Sequence, residues 1–211
     1  MKGQRLQFDG WIAGIGTSSG TRLVLGHWPR SPFGPFSDVM LERATGERLL
    51  LAPTRSIAEF VGDTYAFDRI QVVPVRVRRA ETTSWTVEAG ALAVQFTVGR
   101  RGTLGLLLRA VPGPLAARPA WAAVLDRPAR LLHGVRTRGS AGPDRREWYG
   151  ALDLWPVTTA TATFGGTDLG ALAPVDPPVR FGFGSVPRSP ALVRVTTTVE
   201  LRRGPPLRCA L

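Results

Sequence analysis

His27 and Asp38 are the first side chains in the sequence that could exchange a proton in a built site. They flank or enter a stiff stretch, Gly26-His27-Trp28-Pro29-Arg30-Ser31-Pro32-Phe33-Gly34-Pro35-Phe36, in which prolines alternate with aromatic rings. Imidazole titrates close to neutral pH, so His27 at a pocket mouth, with Asp38 as donor or base, is one candidate for acid–base work. Glu147 and Tyr149 in Arg145-Arg146-Glu147-Trp148-Tyr149 are the other candidate catalytic groups. Trp28, Arg30, Phe33, Phe36 and Trp148 are the candidate ligand contacts, because rings and a guanidinium suit an apolar or amphipathic molecule. A plainer account competes and carries more weight: a single histidine without a geometric partner is a capped loop residue. Phe33 and Phe36 then close one end of a core, and Trp148 is packed with its arginines solvated or paired.

Other chemistries are excluded by what the chain lacks. Lys2 is its sole lysine, which removes Schiff-base catalysis, pyridoxal phosphate anchoring and the phosphate-loop lysine. Cys209 stands alone and the histidines are His27 and His133, a poor supply for a structural zinc site. No metal and no cofactor is expected. Gly16-Thr17-Ser18-Ser19-Gly20 matches the nucleophile-elbow pattern, yet Thr21-Arg22-Leu23-Val24-Leu25-Gly26 reads as a strand where a helix is needed. A hairpin turn accounts for it better. Gly14 and Gly16 begin a dinucleotide-like pattern that has neither its third glycine nor its helix.

The elements that must hold these residues are mostly strands. Period-two alternation marks Leu92, Val94, Phe96 and Val98, preceded by Trp85–Glu88 and a turn at Gly90. A second hairpin runs Asp38–Arg43, turns at Thr45-Gly46 and returns through Glu47–Leu51. Val73, Val75 and Val77 surround Pro74, which predicts an edge position. Trp11–Ile15, Thr21–Gly26, Val157–Phe164, Val179–Phe183 and Leu192–Leu201 complete about nine strands. Ser56 and Glu59 have capping-box spacing and predict a helix near 56–64. Leu104, Leu107, Leu108 and Val111 share one helical face that Pro112 must end, and Pro119 and Pro128 suit two short helices at Ala120–Leu125 and Ala129–His133. The fold class is mainly β (α+β): an antiparallel barrel-like or sandwich sheet with one capped helix and a short helical insertion near 103–133. Residues 1–211 are expected to form a single domain.

The formal charge is +11 across 211 residues, and residues 100–146 alone carry a net +8. This basic insertion reads as a lid over the sheet, and residues 202–211 as a basic tail. Arg100, Arg101, Arg109, Arg118, Arg127 and Arg130 could also meet an anionic membrane surface. Nucleic acid is an unfavoured partner, because arginine is used throughout and no recognition motif accompanies it. The N-terminal residues have no apolar core of a secretory signal. The longest apolar run, Leu104–Ala117, is cut by Arg109, Pro112 and Pro114, so a cytoplasmic, non-integral protein is expected. Pro29-Arg30-Ser31-Pro32 recurs as Pro187-Arg188-Ser189-Pro190, through internal pseudo-symmetry or turn chemistry reached twice. The leading functional expectation is a protein that binds a small apolar or amphipathic molecule. The alternatives are a cofactor-independent acid–base enzyme acting on such a molecule, and a peripheral membrane or acidic-partner protein.

Overall fold

The computed structural model describes residues 4–80, 83–112, 138–140, 145–182 and 186–201. The helices expected at 120–125 and 129–133, Arg118, Arg127 and Arg130, and the tail 202–211 lie outside them.

One large mixed sheet organises the described residues. Its strands are β1 (Gln4–Thr17), β2 (Arg22–Arg30), β3 (Phe36–Glu42), β4 (Arg48–Ala52), β5 (Arg69–Val72), β6 (Val75–Ala80), β7 (Ser84–Ala89), β8 (Leu92–Val98), β9 (Arg138–Ser140), β10 (Arg145–Phe164), β11 (Thr167–Asp168), β12 (Leu172–Ala173) and β13 (Ala191–Leu201). The main path runs β5-β4-β3-β2-β1-β13-β10-β8-β7-β6. All of its pairs are antiparallel except β4–β5, and the sheet does not close into a barrel. Pro74 separates β5 from β6, and the two strands sit at opposite edges, where an absent backbone donor does least harm.

The 20-residue β10 joins the two parts of the sheet. Its first half pairs with β13 and its second half with β8. Register shifts at Ala151/Asp153 and Val157/Thr159 are bulges that bend a strand and increase its twist. The β6–β8 part is thereby carried over one face of the β1–β4 part. Burial on both faces explains the runs of leucine in β4. Leu49 and Leu51 enter a core with Trp85, Val87, Leu92 and Phe96, whereas Leu50 and Ala52 enter a second core with Phe8, Phe60 and Phe181.

The second core is covered by helix α1 (Arg55–Gly62) and by the irregular segment containing Val175, Val179 and Phe181. The N-cap of α1 is Thr54, whose hydroxyl accepts from the Ile57 amide at 3.3 Å. The capping-box spacing points instead to Ser56. Thr54 wins because its extended backbone, φ −141° and ψ 160°, aims the oxygen at the free amides of the first turn. Arg145 fixes the other end, donating to the Phe60 carbonyl at 2.7 Å and Thr64 Oγ1 at 2.6 Å and pairing with Asp63 at 3.0 Å. A buried Glu42 receives Arg22 at 2.9 Å and both the guanidinium and the amide of Arg180, at 3.0 and 2.7 Å. That cluster ties the irregular cover to β2 and β3. Val179–Phe183, expected as a strand, is irregular over 179–182, because its backbone is tied to Glu42 and the Tyr65 loop in place of a ladder.

Helix α2 (Thr103–Ala110) lies against β10. A methyl at Gly105 would fall 2.2 Å from the Leu154 carbonyl oxygen, so glycine sets this contact. Leu107, on the apolar face marked by spacing, is 67% exposed, since the helix turns its glycine to the sheet.

Candidate functional site

Within the second core the sheet leaves a cavity of about 60 Å³, between β2, β3, β10 and the C-terminal turn of α1. Phe8, Trp28, Phe36, Phe60, Tyr65 and Tyr149 supply its aromatic surface. The rings support one another: Phe8 stands edge-on to Trp28 and Phe36, at 5.9 and 6.3 Å, and stacks on Phe60 at 5.4 Å.

Two carboxyl groups enter this apolar space. Asp38, 2% exposed, comes from β3, where alternation turns it to the same face as Phe36 and Met40. Its Oδ1 accepts from Trp28 Nε1 at 3.2 Å, while Oδ2 is buried without a hydrogen-bond partner among the described residues. Gly26 makes room for that pair. A methyl there would lie 2.5 Å from Asp38 Oδ1 and 2.6 Å from Trp28 Nε1. Burial pushes the Asp38 carboxyl up to about 7, against the opposing pull of the Trp28 hydrogen bond.

Glu147 arrives from β10, with Tyr149 two residues on along the same face. Its Oε2 lies 2.8 Å from the Tyr65 hydroxyl and 3.2 Å from that of Tyr149, and the two phenol oxygens are also within hydrogen-bond distance of each other, so the phenol protons are shared among three contacts. Burial likewise raises Glu147 to about 7, opposed by the two tyrosine hydrogen bonds and by the charge of Arg145. The Tyr65 hydroxyl is pushed well above its ordinary value, first by burial and then by the neighbouring Glu147 charge. Thr197 Oγ1 on β13 also faces the cavity without a partner. The arrangement can hold or hand over a proton near neutral pH, and it presents acceptors to a polar group otherwise wrapped in aromatic carbon.

The candidates named from sequence divide by strand face. Asp38, Glu147, Tyr149, Trp28 and Phe36 line the cavity, and Phe33 packs against the same core through Phe8 and Phe60. His27 points to the other side of β2, where Nδ1 bonds Ser37 Oγ at 2.8 Å and the ring lies between Trp11 and Trp85. Burial lowers its pKa. Arg30 is exposed, 3.7 Å from Asp9. Trp148, on the face of β10 opposite Glu147 and Tyr149, is half-buried outside the cavity. Sequence reasoning missed Tyr65, Phe60 and Gly26. The first two reach the site only by the packing of α1, and the third only through a close side-chain approach. The available signal for Gly26 was a glycine inside an otherwise continuous apolar strand.

Arg100, Arg101 and Arg109 line a separate groove beside α2 with Trp11, Trp85 and Trp155. Arg101 stacks over Trp155 at 4.6 Å and pairs with Asp153 at 2.9 Å. Among the described residues there is no cluster of three or more metal-ligating side chains, and no helix long and apolar enough to cross a membrane.

No protein family and no curated protein matches this chain. The chain is similar to a crystal structure from Nitrosomonas europaea, described as a candidate AttH, at 11% identity and a TM-score of 0.28. The similarity covers 97% of this chain and 53% of the other, so the chain spans about half the length of that protein.

Proposed function

We propose that the protein binds a small amphipathic molecule in the aromatic cavity, with the ligand's polar group beside Asp38. The observation that carries this reading is the buried Asp38 Oδ2, which has no hydrogen-bond partner among the described residues and belongs to a group lining an apolar space. An unpaired buried polar atom costs on the order of 1–3 kcal/mol, and a ligand donor offsets that cost. The test is mass spectrometry of an organic extract from the purified protein beside Val24→Phe, in which a larger ring fills the cavity. A stoichiometric molecule in the wild-type extract that is absent from the variant supports the reading. Extracts without such a difference overturn it.

A catalytic reading rests on the same two carboxyls, each near 7, where a group can both take and return a proton at neutral pH. Asp38 and Glu147 would then act as acid and base on the bound molecule. The turnover of that molecule should inflect near pH 7, fall in Asp38→Asn and in Glu147→Gln, and lose the inflection when the two are combined; a flat wild-type profile contradicts it.

The peripheral-membrane reading is favoured by α2, where Leu106 and Leu107 are exposed near Arg100 and Arg109. It predicts binding to anionic vesicles that weakens as salt screens the charge. Equal binding to neutral and anionic vesicles contradicts it.

A further inference from the structure

The cavity joins features that together specify a charge. Two carboxyl groups face it, and among the described residues that line it there is no lysine, arginine or histidine. Arg145, whose charge acts on Glu147 from outside the cavity lining, is directed to the end of α1, with its guanidinium 4.9 Å from the centre of the Phe60 ring. Asp38 therefore has a dipolar partner in Trp28, Glu147 has two in Tyr65 and Tyr149, and among the described residues that line the cavity neither has a cationic partner. Ionised carboxylates buried in this way are stabilised by a compact positive charge. The ring faces around them attract the same charge through their quadrupoles, as in aromatic cages for alkylammonium groups.

We propose that the ligand is a small organic ammonium ion, with its nitrogen beside Asp38 and Glu147 and its alkyl groups against the aromatic rings. The proposal rests on the cavity being a ligand site and assigns the chemical class of its occupant. An ammonium ion favours the ionised carboxylates, so binding releases protons and tightens as pH rises through about 7. His27, buried on the opposite face of β2 against Ser37, Trp11 and Trp85, does not face these groups. Tyr65 remains a neutral donor through this range.

Calorimetry with choline and its neutral carbon isostere, 3,3-dimethylbutan-1-ol, tests the assignment in buffers of different ionisation enthalpy. At about pH 8 choline should bind roughly tenfold or more tighter than the alcohol. That preference should collapse at about pH 6, with proton release on choline binding. Asp38→Asn keeps an acceptor for Trp28; it should lower choline affinity roughly tenfold and leave the alcohol unchanged. Glu147→Gln should act in the same direction, so that the result does not depend on one variant folding. Equal or tighter binding of the alcohol at both pH values overturns the ammonium assignment, as does choline binding that neither variant weakens. A neutral molecule in the organic extract, together with alcohol binding, leaves the cavity a ligand site and removes the ammonium class. Failure of both probes to bind overturns the assignment, while the extract decides the ligand site separately.

Discussion

An alanine at position 26 would drive its methyl into the contact between Trp28 and Asp38. The expected effect of Gly26→Ala is loss of that hydrogen bond and a destabilisation of roughly 1–3 kcal/mol, read from the midpoint of urea unfolding. An unchanged midpoint would show that the indole and carboxyl are not held as described. The carboxyls also predict a pH dependence. Asp38 and Glu147 hold protons up to about 7 in the folded state, against 3.8 and 4.5 ordinarily. Their stabilisation is therefore complete below about pH 4 and is lost as pH rises through 7. The lowered His27 acts in the other direction, costing stability as pH falls below 6.5. The comparison of wild type with Asp38→Asn isolates one carboxyl. Between about pH 4 and 7 the variant should gain on the wild type by up to ~1.4 kcal/mol per pH unit. Parallel curves would contradict the shift. Asp38 and Glu147 were legible as acid–base candidates, but their environment was not. The sequence reading groups Asp38 with His27 at one pocket mouth, whereas β2 and β3 turn the two side chains to opposite faces of the sheet.

The site depends on how α1 is held at both ends. Thr54→Ala should cost about 1 kcal/mol, while Ser56→Ala, which loses a hydroxyl contact with Thr54 at 3.1 Å, should stay within about 0.5 kcal/mol. Chemical denaturation of the two variants distinguishes them; equal losses would contradict Thr54 as the cap. The existence of this helix was legible from the capping-box spacing of Ser56 and Glu59. Its cap was not, because Thr54 and Ser56 are both good capping residues and only the backbone geometry separates them. For α2, the leucine spacing marked a helix correctly and left open whether its apolar face met the sheet or a membrane surface. A glycine that lets the helix axis approach β10 outweighs a leucine stripe, and periodicity counts side chains without seeing the missing one. Gly105→Val should lift α2 from β10, which hydrogen exchange at the amides of α2 would report as faster exchange than in wild type. Unchanged protection would contradict the contact.

At the scale of the molecule, the alternating runs were enough to show a sheet-rich protein with few helices. They left open how the sheet is arranged, because bulges in β10 decide which face the β6–β8 part covers, and a bulge adds a residue without an alternation signature. β10 also begins twelve residues before the alternation that revealed it, through the stretch 145–156 where Trp148 and Glu147 obscure the pattern. That early half carries Glu147 and Tyr149 into the cavity. The site was legible as separate candidates and assembled only once β3, β10 and α1 were brought together.

The central claim is that this cavity admits a small molecule beside Asp38. The Trp28 indole proton, bonded to Asp38 at 3.2 Å, is the atom best placed to report it. Two-dimensional nitrogen–proton spectra during titration with choline and with 3,3-dimethylbutan-1-ol, with Trp28 assigned by its loss in Trp28→Phe, provide the measurement. Saturable movement of the Trp28 indole signal, with the signal of Trp155 in the separate groove unmoved, is the result the account predicts. A Trp28 signal that stays fixed with both molecules would contradict it.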